Sequence, residues 1–482
     1  MRFLILPAAI AAASSLAAAA PITERAAGDT TTVSLDTCSG TPALYGAGML
    51  YGISGTDTPP QSCAHTYPWP RTAPDYADLK INYQSSGGAQ SDASPGGFAT
   101  SASSYRQRFD TVVAAFKRIR QNNGVLIIKL ADLWGADETG GANFPVGAAE
   151  GANFPFPGDG GDWSKFDAFM QQIIDDVRAN GMAVEGATQL ELWNEPDINF
   201  GGRPQEQFNE MYVRGTKALH AAFPQGGGSF LPLVGPSTSS NPAAKNAWWQ
   251  SFLAYLQANG GTASQPDVWN WHMEEGGNND PIPPAEALPG FVQQYGLTTG
   301  LGLQNNEFGV RDQQKPAYSA WFYARYERLR FNGLRGNWEG GAKLNDYLAD
   351  LLIKNADGSY STNGEYVTHQ TYVRDLDGSP CKTTSGSSVD SFATGAAGKV
   401  KALIGSQFFT GTFDVNFDSM NTYFGGATSV KATIYNIAYN NGGVVTEKTL
   451  SSTKDVQVAN GRAVLSIDAA NGSDAWYVEL SA

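Results

Sequence analysis

Leu190-Glu191-Leu192-Trp193-Asn194-Glu195-Pro196-Asp197 ends an apolar, strand-like run with a carboxylic acid set between an amide and a proline. Proline gives no N–H to a sheet ladder, so the strand must stop there. Gly302-Leu303-Gln304-Asn305-Asn306-Glu307-Phe308-Gly309 repeats the plan, a short apolar strand that breaks at a glutamate. Both segments place a glutamate at a strand's C-terminal end, the face on which parallel (β/α)8 barrels build their sites.

Outward from these two strands, the chain between residues 43 and 353 alternates short apolar runs with segments of helical period. Strands are expected over 44–53, 79–83, 125–133, 188–194, 231–235, 268–273, 300–306 and 334–338. Helices are expected over 106–122, 163–181, 204–223, 246–258, 285–295, 315–331 and 343–353, while the proline-rich stretch 54–80 has room only for a short one at 75–79. Eight strands with following helices predict an α/β fold, a (β/α)8 TIM barrel with right-handed crossovers, over residues 43–358. From about Tyr360 alternation of period two takes over, with strands at 430–437, 444–450, 456–459, 462–467 and 475–480 and a tight turn at Asn460-Gly461. Residues 359–482 are therefore expected to form an appended antiparallel β-sandwich, which the segment 31–37, within an N-terminal stretch 21–42, can join as a further strand.

Residues 1–20 have a basic start, a short apolar core and small residues before Pro21, the pattern of a cleaved secretory signal. This predicts a secreted, soluble protein with no membrane partner. The net charge of −14 argues against nucleic acid. Three cysteines are expected in an oxidising compartment: Cys38 and Cys63 bracket a proline- and glycine-rich loop and are the favoured disulfide, with pairing of Cys381 to either left open. Scattered thiols and four histidines give no metal motif, and neither a phosphate loop nor a dinucleotide glycine signature is present, so no cofactor is expected. Asn471-Gly472-Ser473 is a glycan acceptor sequence.

Two carboxyl groups at one barrel mouth suit glycosidic bond hydrolysis, in which one protonates the departing oxygen and the other meets the cationic anomeric carbon. In the retaining mechanism they stand roughly 5–5.5 Å apart, close enough that like charges disfavour ionisation of both. Trp193-Asn194-Glu195-Pro196 resembles the acid/base motif of clan A glycoside hydrolases, and 190–197 is most similar to family 39, which includes β-xylosidases and α-L-iduronidases. The resemblance extends through Val234-Gly235-Pro236-Ser237-Thr238, Trp271-His272, Asn306-Glu307-Phe308-Gly309 and Trp338. It implies Glu195 as acid/base, Glu307 as nucleophile, Asn194 on the substrate's 2-hydroxyl, His272 orienting a catalytic carboxylate and Trp338 as a stacking floor. Asn306 departs from the small hydroxyl residue usual before the nucleophile.

Asp132 and Trp134, at the end of the third strand, are weaker candidates for substrate contact, and Glu191 is expected to be a buried partner of Lys129. The repeat Gly141-Ala142-Asn143-Phe144-Pro145 and Gly151-Ala152-Asn153-Phe154-Pro155 reads either as a sugar-binding lip with Phe144, Phe154 and Trp163 or as an insertion whose aromatics tuck into their own loop. A poly- or oligosaccharide is the expected partner. The competing expectation is a non-catalytic carbohydrate-binding protein on a degenerate barrel.

Overall fold

The computed structural model describes residues 29–52, 79–88, 96–136, 154–274, 279–338 and 348–482. A first strand, β1 (Asp29–Ser34), precedes eight parallel strands that pair in chain order: β2 (Gly48–Met49), β3 (Tyr83–Ser86), β4 (Val125–Lys129), β5 (Thr188–Glu191), β6 (Leu233–Thr238), β7 (Val268–Trp271), β8 (Gly302–Phe308) and β9 (Asn332–Arg335). The ring closes where Gly48 and Met49 of β2 pair with Leu334 and Arg335 of β9. Burial on both faces explains why β4 reads as an apolar run rather than an alternating one.

The crossover helices form where a capping residue meets an apolar stripe. Ala102–Ile119 starts at Ser101, whose hydroxyl accepts from the Ser104 amide, and buries Tyr105, Phe109, Val112 and Ile119 against the barrel. Ala247–Ala258 is capped by Asn246, which accepts from the Trp248 and Trp249 amides. Ser164–Ala179, Gln205–Ala222, Ile282–Gln293 and Pro316–Leu329 complete the expected series.

Of the helix expected over 343–353, residues 343–347 lie outside the described residues and the rest is not helical; the last helix of the barrel lies further on. Residues 348–350 form a turn and Leu352–Lys354 (β10) pairs with Tyr360–Thr362 (β11); the helix is Gly364–Gln370, continued by a π-helical turn over Thr371–Asp375. Its valine and threonines mask the helical signal, which comes instead from Asn363 capping the Tyr366 amide and from tertiary contacts. These seal the N-terminal end of the barrel: His369 Nε2 meets the Leu79 carbonyl at 2.8 Å, and Tyr372 Oη accepts from the Gly46 amide and donates to Glu327.

The remaining strands, β12 (Ser379–Thr384), β13 (Val389–Ala396), β14 (Lys399–Ser406), β15 (Gly411–Asp418), β16 (Ser429–Ile437), β17 (Thr449–Ala459), β18 (Arg462–Ala469) and β19 (Ala475–Ser481), form a separate, mostly antiparallel β domain with β1. The order β1-β12-β13-β14-β19-β16-β17-β18-β15 returns to β1, which runs antiparallel to β12 and parallel to β15. β17 and β18 are joined by Asn460-Gly461, both at positive φ, the conformation a two-residue hairpin demands.

This domain corrects the disulfide. Cys38 is bonded to Cys381, not to Cys63, because β1 lies beside β12 and brings the two sulfurs together across 343 residues of chain. Cys63, Phe144 and the segment 1–20 lie outside the described residues. The domain packs on Pro316–Leu329, where Gly405 comes so close that a Cβ there would meet the Ala317 carbonyl oxygen at 2.3 Å. Arg325 and Arg328 both pair with the fully buried Asp390 across this contact. Among the described residues no helix is long and apolar enough to cross a membrane.

Candidate active site

The C-terminal ends of β4, β5, β7 and β8 converge on a cluster of ionisable side chains. Glu195 stands four residues beyond β5 in a left-handed conformation, φ 45°. That strained position is fixed from several sides: its amide donates to the Ser237 carbonyl at 2.8 Å, and its own carbonyl accepts from the Ile198 and Asn199 amides. Asp197 locks the turn to the next strand by accepting from the Ser239 and Ser240 amides and the Ser239 hydroxyl. Trp193 anchors it from beneath, packed on Phe156 and Phe200 and donating to the Asn199 carbonyl. Each residue of the Trp-Asn-Glu-Pro-Asp run other than the proline thus has a role in presenting Glu195 or, for Asn194, in offering a buried amide oxygen that meets no partner.

Glu307 is delivered differently. The pairing of β8 with β9 shifts register between Asn305 and Phe308, so consecutive residues reach the barrel interior where a regular strand would alternate. Asn305 points outward, donating to the Trp271 carbonyl and accepting from the Tyr326 hydroxyl. Asn306 and Glu307 both point in: Asn306 Nδ2 donates to Glu191, its Oδ1 accepts from Asn270, and Glu307 Oε1 accepts from Lys129 Nζ at 2.8 Å. Asparagine at 306 is explained by this double duty, which a small hydroxyl could not reach.

Lys129, the last residue of β4, lies between Glu307 and Glu191, 3.2 Å from Glu191 Oε1. Burial opposes its charge, but the carboxylates of Glu191, Glu307 and Asp132 outweigh burial and hold it cationic. His272, 1 % exposed, bridges the two catalytic candidates, with Nδ1 3.0 Å from Glu195 Oε1 and 3.5 Å from Glu307 Oε2. Burial disfavours its protonation, yet the charge of Glu307 and the hydrogen bond to Glu195 raise its pKa. For Glu307, burial alone would favour the neutral acid; the His272 and Lys129 charges overcome it and push its pKa well below the usual carboxylate range.

Glu274 completes the cluster beside Glu307. One oxygen each from Glu195, Glu274 and Glu307 and one nitrogen of His272 lie within 4.8 Å of one another. Such a set has the donor types of a cation site, but the Lys129 ammonium already sits against its central carboxylate. The arrangement holds Glu307 charged beside Glu274, whose pKa is raised by burial and by the Glu307 charge.

Around this centre, Trp338 donates from Nε1 to the Gly309 carbonyl and lies half-buried against Leu50 and Tyr51. Its ring fits because residue 336 is glycine; a Cβ there would meet it at 2.3 Å. Asp132 is buried and accepts from the Tyr51 hydroxyl at 2.6 Å, and the Tyr51 ring lies 5.9 Å from Lys129 Nζ. Trp134 is not at the mouth. The chain leaves β4 directly into the short helix Leu130–Trp134 instead of continuing as a strand, and this turns Trp134, 1 % exposed, into a cluster with Phe98, Phe166 and Phe169.

Phe154 packs on Phe156, and Trp163 packs on Phe166 beneath the Arg214 guanidinium, so the described aromatics of the insertion tuck into their own surroundings. Arg203 ties that loop down through Asp159 and the Phe154 carbonyl. Sequence reasoning missed Tyr51, the Lys129–Glu307 contact and the place of Glu274. A lysine ending an interior barrel strand opposite a strand-end glutamate was a usable signal; Tyr51 had none, since β2 is only two residues long.

No family model matches this chain, and no curated protein sequence does. Solved structures do match over nearly its whole length. N2152 from Neocallimastix frontalis superposes with a TM-score of 0.69 at 18 % identity, covering 94 % of this chain and 99 % of that one. A glucosidase from Croceicoccus marinus gives 0.56 at 14 % identity, covering 94 % and 99 %. A GH39 enzyme from Xanthomonas axonopodis pv. citri gives 0.55 at 13 % identity, covering 95 % and 98 %. The resemblance to clan A glycoside hydrolases read from the sequence is thus met in three dimensions, and the chain has the barrel-plus-β-domain fold of such enzymes.

Proposed function

We propose that this protein is a secreted, retaining O-glycoside hydrolase acting on cell-wall polysaccharide or its fragments, β-xylosidase-like in its site. The observation that carries the reading is the approach of Glu195 and Glu307, with oxygens within 4.8 Å, at the mouth of the barrel. That closeness favours direct attack by one carboxylate over the inverting arrangement, in which the pair stands roughly 6.5–9.5 Å apart to hold a water. Glu307, kept ionised by Lys129 and His272, attacks the anomeric carbon while Glu195 protonates the leaving oxygen. Glu195 then takes the proton of the water that releases the sugar. Asn194, with its free buried oxygen, accepts from a substrate hydroxyl, and Trp338 supplies an apolar face to a sugar ring. Secretion is supported by the character of residues 1–20 and by the Cys38–Cys381 bond.

The test is sugar release from xylans, arabinans, galactans, glucans and matching aryl glycosides, with the double variant Glu195→Ala, Glu307→Ala as blank. Release by wild type alone, with retention at the anomeric carbon, is expected. Near-normal turnover in both single variants would remove the proposal, and calorimetric binding of an uncleaved oligosaccharide would replace it with a binding role.

A further inference from the structure

Glu274 is a third carboxyl group in the pocket, and the two-carboxyl mechanism leaves it without a task. Its position is built rather than incidental. Beyond β7 the chain keeps one more parallel bridge, Met273 to Phe308, and the Met273 amide donates to the Glu307 carbonyl at 2.8 Å. This clamps the backbone of residues 273 and 274 to the strand that carries Glu307. A carboxyl oxygen of Glu274 lies within 4.8 Å of one of Glu307, and the Glu274 Oε1 is buried with no partner. The groups that face it are Glu307 on β8, Glu195 beyond β5, Lys129 on β4 and its neighbour His272.

Two buried carboxyl groups this close disfavour ionisation of both, and the surroundings decide which one stays protonated. Glu307 has the Lys129 ammonium at 2.8 Å and His272 at 3.5 Å, whereas no ion pair of Glu274 is found among the described residues. The charge therefore belongs on Glu307 and the proton on Glu274. Resting on the glycosidase reading, we propose that Glu274 is a positioning residue that acts in its acid form, donating a hydrogen bond that holds the nucleophile Glu307 ionised and aimed at the anomeric carbon. Burial and the adjacent Glu307 charge both raise the pKa of Glu274 and keep it neutral through the working range. Such a donor differs from Lys129 in adding no net charge to the pocket.

Two substitutions separate this from a packing role. Glutamine keeps a donor at the same place but cannot titrate, and alanine removes the donor. In Glu274→Ala the acid limb of kcat/KM should move up by about one to two pH units, the worth of one hydrogen bond to a charged group. Glu274→Gln should restore it close to the wild-type position. The same acid limb in Glu274→Gln as in Glu274→Ala would overturn the proposal.

An activity-independent readout is the melting temperature of Glu274→Gln against wild type between pH 5 and pH 8. The unfolded chain releases the Glu274 proton near the ordinary pKa of about 4.3, while the folded protein retains it. Wild type therefore loses stability relative to the glutamine variant as pH rises. A gap that widens with pH supports a protonated Glu274, and a constant gap refutes it. Should wild type cleave no glycoside, the melting comparison still decides the protonation of Glu274, and it is the catalytic reading that falls.

Discussion

Lys129 Nζ stands 2.8 Å from Glu307 Oε1 and 3.2 Å from Glu191 Oε1, so a single buried ammonium serves two carboxylates from β5 and β8. The geometry ties the charge of Glu307 to the interior of the barrel. On the proposed mechanism it also makes β4, which carries neither Glu195 nor Glu307, part of the chemistry.

Replacing Lys129 by methionine keeps volume and removes that charge. Glu307 then loses one of the two cations that depress its pKa, so the acid limb of kcat/KM should move to higher pH. The sign for stability follows. A carboxylate with a depressed native pKa contributes stability above the ordinary value of about 4.3 and loses it as pH falls toward the native one. Lys129→Met should surrender this contribution and, with the buried Glu191 carboxylate left without its cation, lose about 3–5 kcal/mol of unfolding free energy at neutral pH. An unchanged acid limb in a folded variant would show that Lys129 does not set the state of Glu307.

The two tryptophans proposed from sequence for substrate contact should behave oppositely. Trp134 is enclosed by phenylalanines and Trp338 lies half-buried against Leu50 and Tyr51. Trp134→Ala should cost about 3–5 kcal/mol of stability, the usual result of emptying a large aromatic site. Trp338→Ala should instead weaken turnover through KM, with a smaller change in melting temperature. Denaturant unfolding and steady-state kinetics on both variants check this; a KM effect from Trp134→Ala in a fully folded protein would contradict its placement.

That contrast shows where the sequence was legible. The barrel could be read because eight buried parallel strands leave eight apolar runs, and Glu195 and Glu307 stood out because each breaks one. Trp134 could not be placed because the chain coils one residue past Lys129, and periodicity cannot distinguish a short helix from a strand's last residues. The helix Gly364–Gln370 was hidden by residues of low helix propensity held by tertiary contacts. The strand β13 was missed for a related reason: it is buried along nearly its whole length and shows no alternation. Glu274 was visible only as one of several acids near strand ends, since its contact with Glu307 depends on a bridge that forms beyond β7.

Asp390 offers a test of how the two domains are joined. It is fully buried and receives the guanidinium groups of both Arg325 and Arg328 from the helix Pro316–Leu329. Asp390→Ala leaves Arg325, itself 4 % exposed, without that partner. A loss of about 3–5 kcal/mol is expected, as for other broken buried pairs. The variant should unfold at lower denaturant concentration, whereas the same substitution at the exposed Asp455 should shift the midpoint little.

The Cys38–Cys381 bond makes a prediction that is independent of catalysis. It fastens the segment after β1 to β12, so that the chain enters and leaves the barrel through one covalently closed domain. A peptide map under non-reducing conditions should recover Cys38 and Cys381 in a single linked fragment, with Cys63 elsewhere. Loss of the link frees a loop spanning most of the protein in the unfolded state, so Cys38→Ser should cost about 2–5 kcal/mol. The deficit should match that of Cys381→Ser and should not deepen when both are changed, because either substitution removes the same bond. A Cys38–Cys63 fragment in the map, or additive losses in the double variant, would show that β1 is held against β12 by hydrogen bonds alone.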